Sequence, residues 1–237
     1  MRVAKRLKNI VKWHIKSGLF HPLAVLLIAI IALGFYAILE SYEDPSIRIS
    51  MVSVVFEYTL FPLYAIFVAL HLVRSHLVVV FEVNIFKSWE VLFVARLATF
   101  LLACAPLLAT TLPVAYIVGE RQLIVPILFK FATYASLLAP AILLGDRRAS
   151  LLYLITAYMI LPLSISIVLA GMAHSHGRID ALTSVLSYTL APITMLQYKD
   201  LAEVPPLEAY AASTLILLVV VLASLGIFKR LEYGLEH

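Results

Sequence analysis

Two ionisable residues stand inside long apolar runs: Glu57, in VVFEYTLFPLY, and Lys130, in ILFKFATY. A charge within hydrocarbon is costly and is kept where it meets a partner, a cavity or a transport path. Glu57 falls six residues after the start of the second apolar run, at 51, and Lys130 seven after the start of the fourth, at 123. Both runs are entered from the same side, so the two depths match within a helical turn and an ion pair between them is geometrically possible. The chemistry open to such a pair is structural or gating. A proton relay needs further acidic or histidine groups along the path, and no such series lines these runs. The alternatives are a Glu57 that reaches the outer surface and a Lys130 that snorkels to it.

A second cluster interrupts the apolar pattern at VVFEVNIFKSWEVLFVAR, residues 79–96. Glu82, Asn84, Phe86, Lys87, Trp89 and Glu90 arrive there at helix-compatible spacing. Phe86 has Trp89 and Glu90 at i+3 and i+4, and Glu82 faces Phe86. Aromatic side chains rimmed by charge compose a docking surface. They equally compose an interfacial tryptophan with snorkelling charges. In MAHSHGRID, Met172, His174 and His176 lack a fourth ligand at a metal-binding spacing, which favours a solvated loop. The chain has no GxxxxGK[ST], HExxH or GxSxG pattern, and its one cysteine, Cys104, lies in an apolar run. It is therefore expected to be no enzyme; if ATP drives it, the nucleotide site lies on another chain.

Around these residues the 237-residue chain is 63% hydrophobic and 14% charged, with a mean hydropathy of +1.01. Soluble domains are about one-quarter charged, so the class is an integral membrane protein. Six runs reach the ~20 residues needed to cross a bilayer: about 22–40, 51–73, 91–118, 123–145, 149–171 and 211–228. Thirteen Lys/Arg fall at one set of ends and four at the other, with Lys130 inside a span. The positive-inside bias then puts both termini in the cytoplasm. The first sixteen residues carry six of the cations, with Val3, Leu7, Ile10, Val11 and His14 on one face. That pattern predicts a basic amphipathic helix in the headgroup layer of an anionic leaflet. On the outer side, 172–210 holds ALTSVLSYTLAPITML, apolar but too short to cross and broken by Pro192. A re-entrant or interfacial helix packed on protein satisfies its backbone. Pro62, Pro106, Pro113, Pro126, Pro140 and Pro162 are expected to kink the spans. Residues 235–237, Leu-Glu-His, look like a tag remnant, and 1–237 reads as a single transmembrane domain.

With this layout the chain resembles the transmembrane (permease) subunit of an ABC-2 type exporter. The basic helix at 1–20 is similar to the family's connecting helix. FEVNIFKSWEVLFVARLATFLL resembles its coupling helix, here 74–90, with Glu82, Lys87-Ser88-Trp89-Glu90 and Arg96 at the matching places. LSYTLAPITML and LGIFKRLEYG resemble its outer re-entrant element and basic tail, and the DRR turn fits. The family's Gly-Thr before the Glu and its Pro ahead of the Ser-Arg cluster are absent. The resemblance implies two such subunits, expected as a homodimer, docked on two copies of a cytosolic ABC ATPase that holds ATP and Mg. It implies no cofactor on this chain, contact with membrane lipids and not nucleic acid, and a plasma-membrane location. Alternating access would move a hydrophobic or amphipathic cargo. An ion-coupled secondary transporter and a non-transporting scaffold are the competing readings.

Overall fold

The computed structural model describes residues 2–14, 22–73, 89–144 and 146–233, with side chains for 7–13, 25–73, 90–144 and 146–227. The described chain is all-α. Its extended pairing is a single bridge, Ile179 with Ala202. The helices are α1 (Arg2–His14), α2 (Pro22–Ser41), α3 (Pro45–Leu72), α4 (Trp89–Ile117), α5 (Arg121–Leu143), α6 (Arg147–His176), α7 (Ala181–Leu190), α8 (Pro192–Met195) and α9 (Pro206–Tyr233), with a 3-10 turn at Leu196–Leu201. Five of them, α3, α4, α5, α6 and α9, are long and apolar enough to cross a membrane. This is a multi-pass, all-α membrane protein. Helix α2 has 20 residues, and its described part, Val25–Ser41, is a shorter apolar helix.

Local chemistry sets the ends. Asp44 accepts the Ser46 amide at 2.8 Å and Pro45 occupies the first turn, so α3 starts six residues before the apolar run that marks it in the sequence. Gly119, at φ 94°, turns α4 into α5, a conformation that costs a residue with a Cβ. Arg48 then reaches Glu120 at 3.0 Å and ties the start of α3 to that turn. Asp146 accepts the Arg148 and Ala149 amides and opens α6.

The prolines act in different ways. Pro106, Pro113 and Pro140 lie inside α-helical stretches, and Pro126 sits in the first turn of the α-helical part of α5. Pro62 and Pro162 each follow a π-helical segment, Ser53–Leu60 and Thr156–Ile160. Proline cannot donate to the previous turn, and the wider turn before it re-pairs the backbone at i−5, as Phe61 N to Phe56 O shows.

About half of the apolar windows of α3, α4 and α5 is buried, against 22% for α6 and 17% for α9. The first three therefore form the centre, and the last two leave most of their surface uncovered by the rest of the chain. α2 packs on α4, and α9 on α5. α1 also packs on α4, with Ile10 fully buried. The described part of its apolar face, Leu7, Ile10 and Val11, is thus packed on protein, where the sequence pattern alone points to the headgroup layer.

Candidate functional site

Helix α6 runs on to His176, so the outer connection spans 177–205, shorter than the 172–210 read from the sequence. Ile179 donates to Leu201 O and Glu203 to Ile179 O, closing a neck. From the neck α7 descends for ten residues. At 1.5 Å per residue that is about 15 Å, roughly half the thickness of a bilayer core. There the helix breaks. Ala191 leaves the helical region (φ −132°, ψ 55°), and Pro192 starts α8. The tip packs against α3, α5 and α6, inside the bundle.

A helix break at this depth strands carbonyls of the first limb and amides of the second, with no water to take them. The two intramembrane charges meet that need. Glu57, on the π segment of α3, accepts from Ile193 N through Oε1 at 3.0 Å and from Thr194 N through Oε2 at 2.8 Å. The Thr194 hydroxyl donates to Oε2 as well, at 2.8 Å. Lys130 Nζ donates to Leu190 O at the end of α7 and lies 3.7 Å from Glu57 Oε1. The negative group thus faces the exposed amides and the positive group the exposed carbonyl, the arrangement that the peptide dipoles favour. Thr133 Oγ1 adds a bond to Thr189 O at 2.9 Å. Tyr58 OH bridges Thr194 Oγ1 and Ser166 Oγ, bringing α6 into the same junction.

Glu57 and Lys130 are both fully buried. Lys130 therefore does not snorkel, and Glu57 does not reach the outer surface. The Lys130 ammonium stands 5.4 Å from the Tyr134 ring centre. Phe56, Phe61, Phe131, Tyr134 and Tyr158 form a continuous series of packed rings that includes it, tilted at three contacts and edge-on between Phe131 and Tyr134. Both carboxylate oxygens are occupied and the junction is closed to solvent. It is built as a clamp joining three spans to the hairpin tip.

Glu82, Asn84, Phe86 and Lys87 lie outside the described residues. Trp89 begins α4, and Glu90 is exposed in its first turn. Arg96, on α4, is fully buried. His174 and His176 are exposed at the end of α6. Asp180 spends its carboxylate on Thr183 N and Oγ1, each at 2.8 Å. Among the described residues no three His, Cys, Asp or Glu side chains could hold a metal ion. Sequence reasoning missed Tyr58, Thr194 and Ser166. The signal available was TLAPIT, where a proline inside an apolar stretch announces stranded amides that need an acceptor.

The neck offers an independent test. The Thr183 backbone and side-chain hydrogen bonds hold the Asp180 carboxyl below its ordinary value of 3.8. A depressed carboxylate contributes stability that is full above its unfolded value and is lost as the pH falls through the folded one. Asp180→Ala is therefore expected to speed amide exchange at 181–184 several-fold at neutral pH. The difference from wild type should vanish in strong acid. Hydrogen–deuterium exchange of the peptide covering α7 reads both.

Compared with protein-family models, curated proteins and solved structures, the chain matches none.

Proposed function

We propose that this chain is the transmembrane subunit of an ATP-driven exporter of the ABC-2 type. In this reading α2 is the first of six spans, both termini are cytoplasmic, and the chain sits in the plasma membrane. The segment 74–90 has the coupling role, docking in a groove of a separate cytosolic ATPase, with Glu82, Asn84, Phe86, Lys87, Trp89 and Glu90 at the contact. ATP and Mg are held there and not here. Two copies of the chain pair around a central pathway.

The observation that carries the reading is the outer hairpin, folded back into the bundle before the last span and fastened to α3 and α5. It is the element that the resemblance places at this point, and it lies on the route between the spans and the outer surface. ATP binds more tightly to the closed ATPase pair, and the difference in binding energy drives a rigid-body switch. The clamp transmits that motion: a shift of α3 or α5 pulls on the hairpin tip through Glu57 or Lys130. The scarcity of charge along the spans suits a hydrophobic or amphipathic cargo.

The test is assembly with a cytosolic P-loop ATPase in nanodiscs. Trp89→Ala and Glu82→Ala are each expected to weaken ATPase binding by about 2 kcal/mol, roughly thirtyfold, as hot-spot residues do. Unchanged binding and unchanged hydrolysis in both variants would refute the coupling role. One observation favours a second reading. A buried charged pair at a broken helix is also how ion-coupled carriers build their sites. Uptake that follows an ion gradient without nucleotide would select that reading.

A further inference from the structure

Two spans carry the same six-residue pattern, YTLFPL at 58–63 of α3 and YMILPL at 158–163 of α6. In each, the tyrosine lies in a π turn and a buried proline follows it at i+4. The leucine after the proline, Leu63 or Leu163, is exposed. Proline has no amide to give, and its ring crowds the carbonyl four residues back, here that of Tyr58 and of Tyr158. Each span is therefore weakest at this point, and π turns and prolines are where helices bend sharply. The start of α3 and the end of α6 both pack on the hairpin, so the two spans are antiparallel, and their π turns touch. The two weak points thus stand at one level.

The fastenings divide about that level. On the hairpin side, the tip packs on Pro45–Val52 of α3 and on Leu161–His176 of α6. Glu57 holds the Ile193 and Thr194 amides, and the Tyr58 hydroxyl joins Thr194 to Ser166. On the far side, Phe61–Leu72 of α3 packs directly on Arg147–Ile155 of α6. There Tyr64 OH donates to Ala103 O of α4 at 2.6 Å, and Ser150 Oγ to Ala141 O of α5 at 3.0 Å. Helix α5 passes through both groups, and Pro140 stands in it between the hairpin contacts of Lys130 and Thr133 and the Ser150 contact. We propose that the paired π–proline turns are a hinge, about which the hairpin and the halves of α3 and α6 beside it swing as one body against the rest of the bundle. The swing opens or shuts the hairpin end. The hinge is a passive device, and an ATPase or an ion gradient would drive it alike.

The test is the distance between paired spin labels on the full chain in nanodiscs, with no nucleotide and no ion gradient. Cys104, the one cysteine, is buried and is replaced by alanine throughout. Labels at Ile47→Cys and Leu152→Cys span the hinge, and labels at Ile47→Cys and His174→Cys both lie on the hairpin side; all three positions are exposed. The spanning pair is expected to show two distance populations and the hairpin-side pair one. Pro62→Ala/Pro162→Ala restores both backbone donors, so the spanning pair should collapse to one population while the melting temperature holds. Each single substitution should shift the balance in the same direction. Pro106→Ala, at an exposed position of α4 with no π turn before it, should leave both populations in place. One population across the hinge with both prolines present, two that survive the double substitution, or an equal spread in the hairpin-side pair would each overturn the inference. So would loss of the fold in both single variants, which would make the prolines structural.

Discussion

Glu57→Ala is expected to destabilise the folded chain by about 3–5 kcal/mol, because it leaves the Lys130 ammonium buried and unpaired. For a chain of this size that corresponds to a fall in melting temperature of about 6–20 °C in detergent. The informative comparison is the double variant Glu57→Leu/Lys130→Met. A plain buried ion pair replaced by apolar side chains of similar volume is neutral or stabilising. The geometry here predicts otherwise. Removing both charges strands Ile193 N, Thr194 N and Leu190 O at the hairpin tip, and each buried backbone group without a partner costs about 1–3 kcal/mol. The double variant should therefore recover only part of the loss. Glu57→Gln, which keeps an oxygen acceptor, should fall between wild type and Glu57→Ala. Full recovery in the double variant would reduce the clamp to a simple ion pair.

Ile10→Asp is the second large effect. Ile10 is fully buried between α1 and the bundle, and an unpaired carboxylate cannot remain there. The outcome expected is release of α1 while α2–α9 stay folded, since α1 is a peripheral element. Release of a segment is read by proteolysis: Lys8 and Lys12 become at least ten times more sensitive to trypsin in nanodiscs, and the melting temperature of the remaining bundle barely moves. Asn9→Ala, at an exposed position that leaves both cleavage sites in place, should change neither readout, as surface substitutions usually stay within about 0.5 kcal/mol. A bundle that melts with the Ile10→Asp substitution would instead make α1 part of the folding core.

The class was legible because hydropathy is a bulk property. A sequence this apolar has to lie in lipid, and each long run becomes a helix since nothing else satisfies its backbone there. The break at Pro192 was legible for the same reason, and so were Glu57 and Lys130, as charges out of place. Their roles were less so. Read as a pair, they explain each other. The structure shows that they answer a third party, the stranded backbone of a hairpin more than fifty residues away in sequence from either. Such a contact leaves no local pattern. The start of α3 was misplaced because Asp44 and Pro45 begin a helix while PSIRIS is still polar: a cap acts on the backbone and ignores hydropathy. The face of α1 was legible as apolar, but periodicity cannot tell a lipid neighbour from a protein one. Arg96 is a further case: nothing in its local pattern announces that packing buries it fully.

The proposed drive is a separate ATPase. Its most direct test is to isolate the chain from its native membranes under mild detergent and identify what accompanies it. A P-loop ATPase in equal copy number is expected, whose hydrolysis changes on reconstitution with the wild-type chain and not with Trp89→Ala. A chain that purifies without any ATPase, and whose Trp89→Ala form is indistinguishable from wild type, would contradict it.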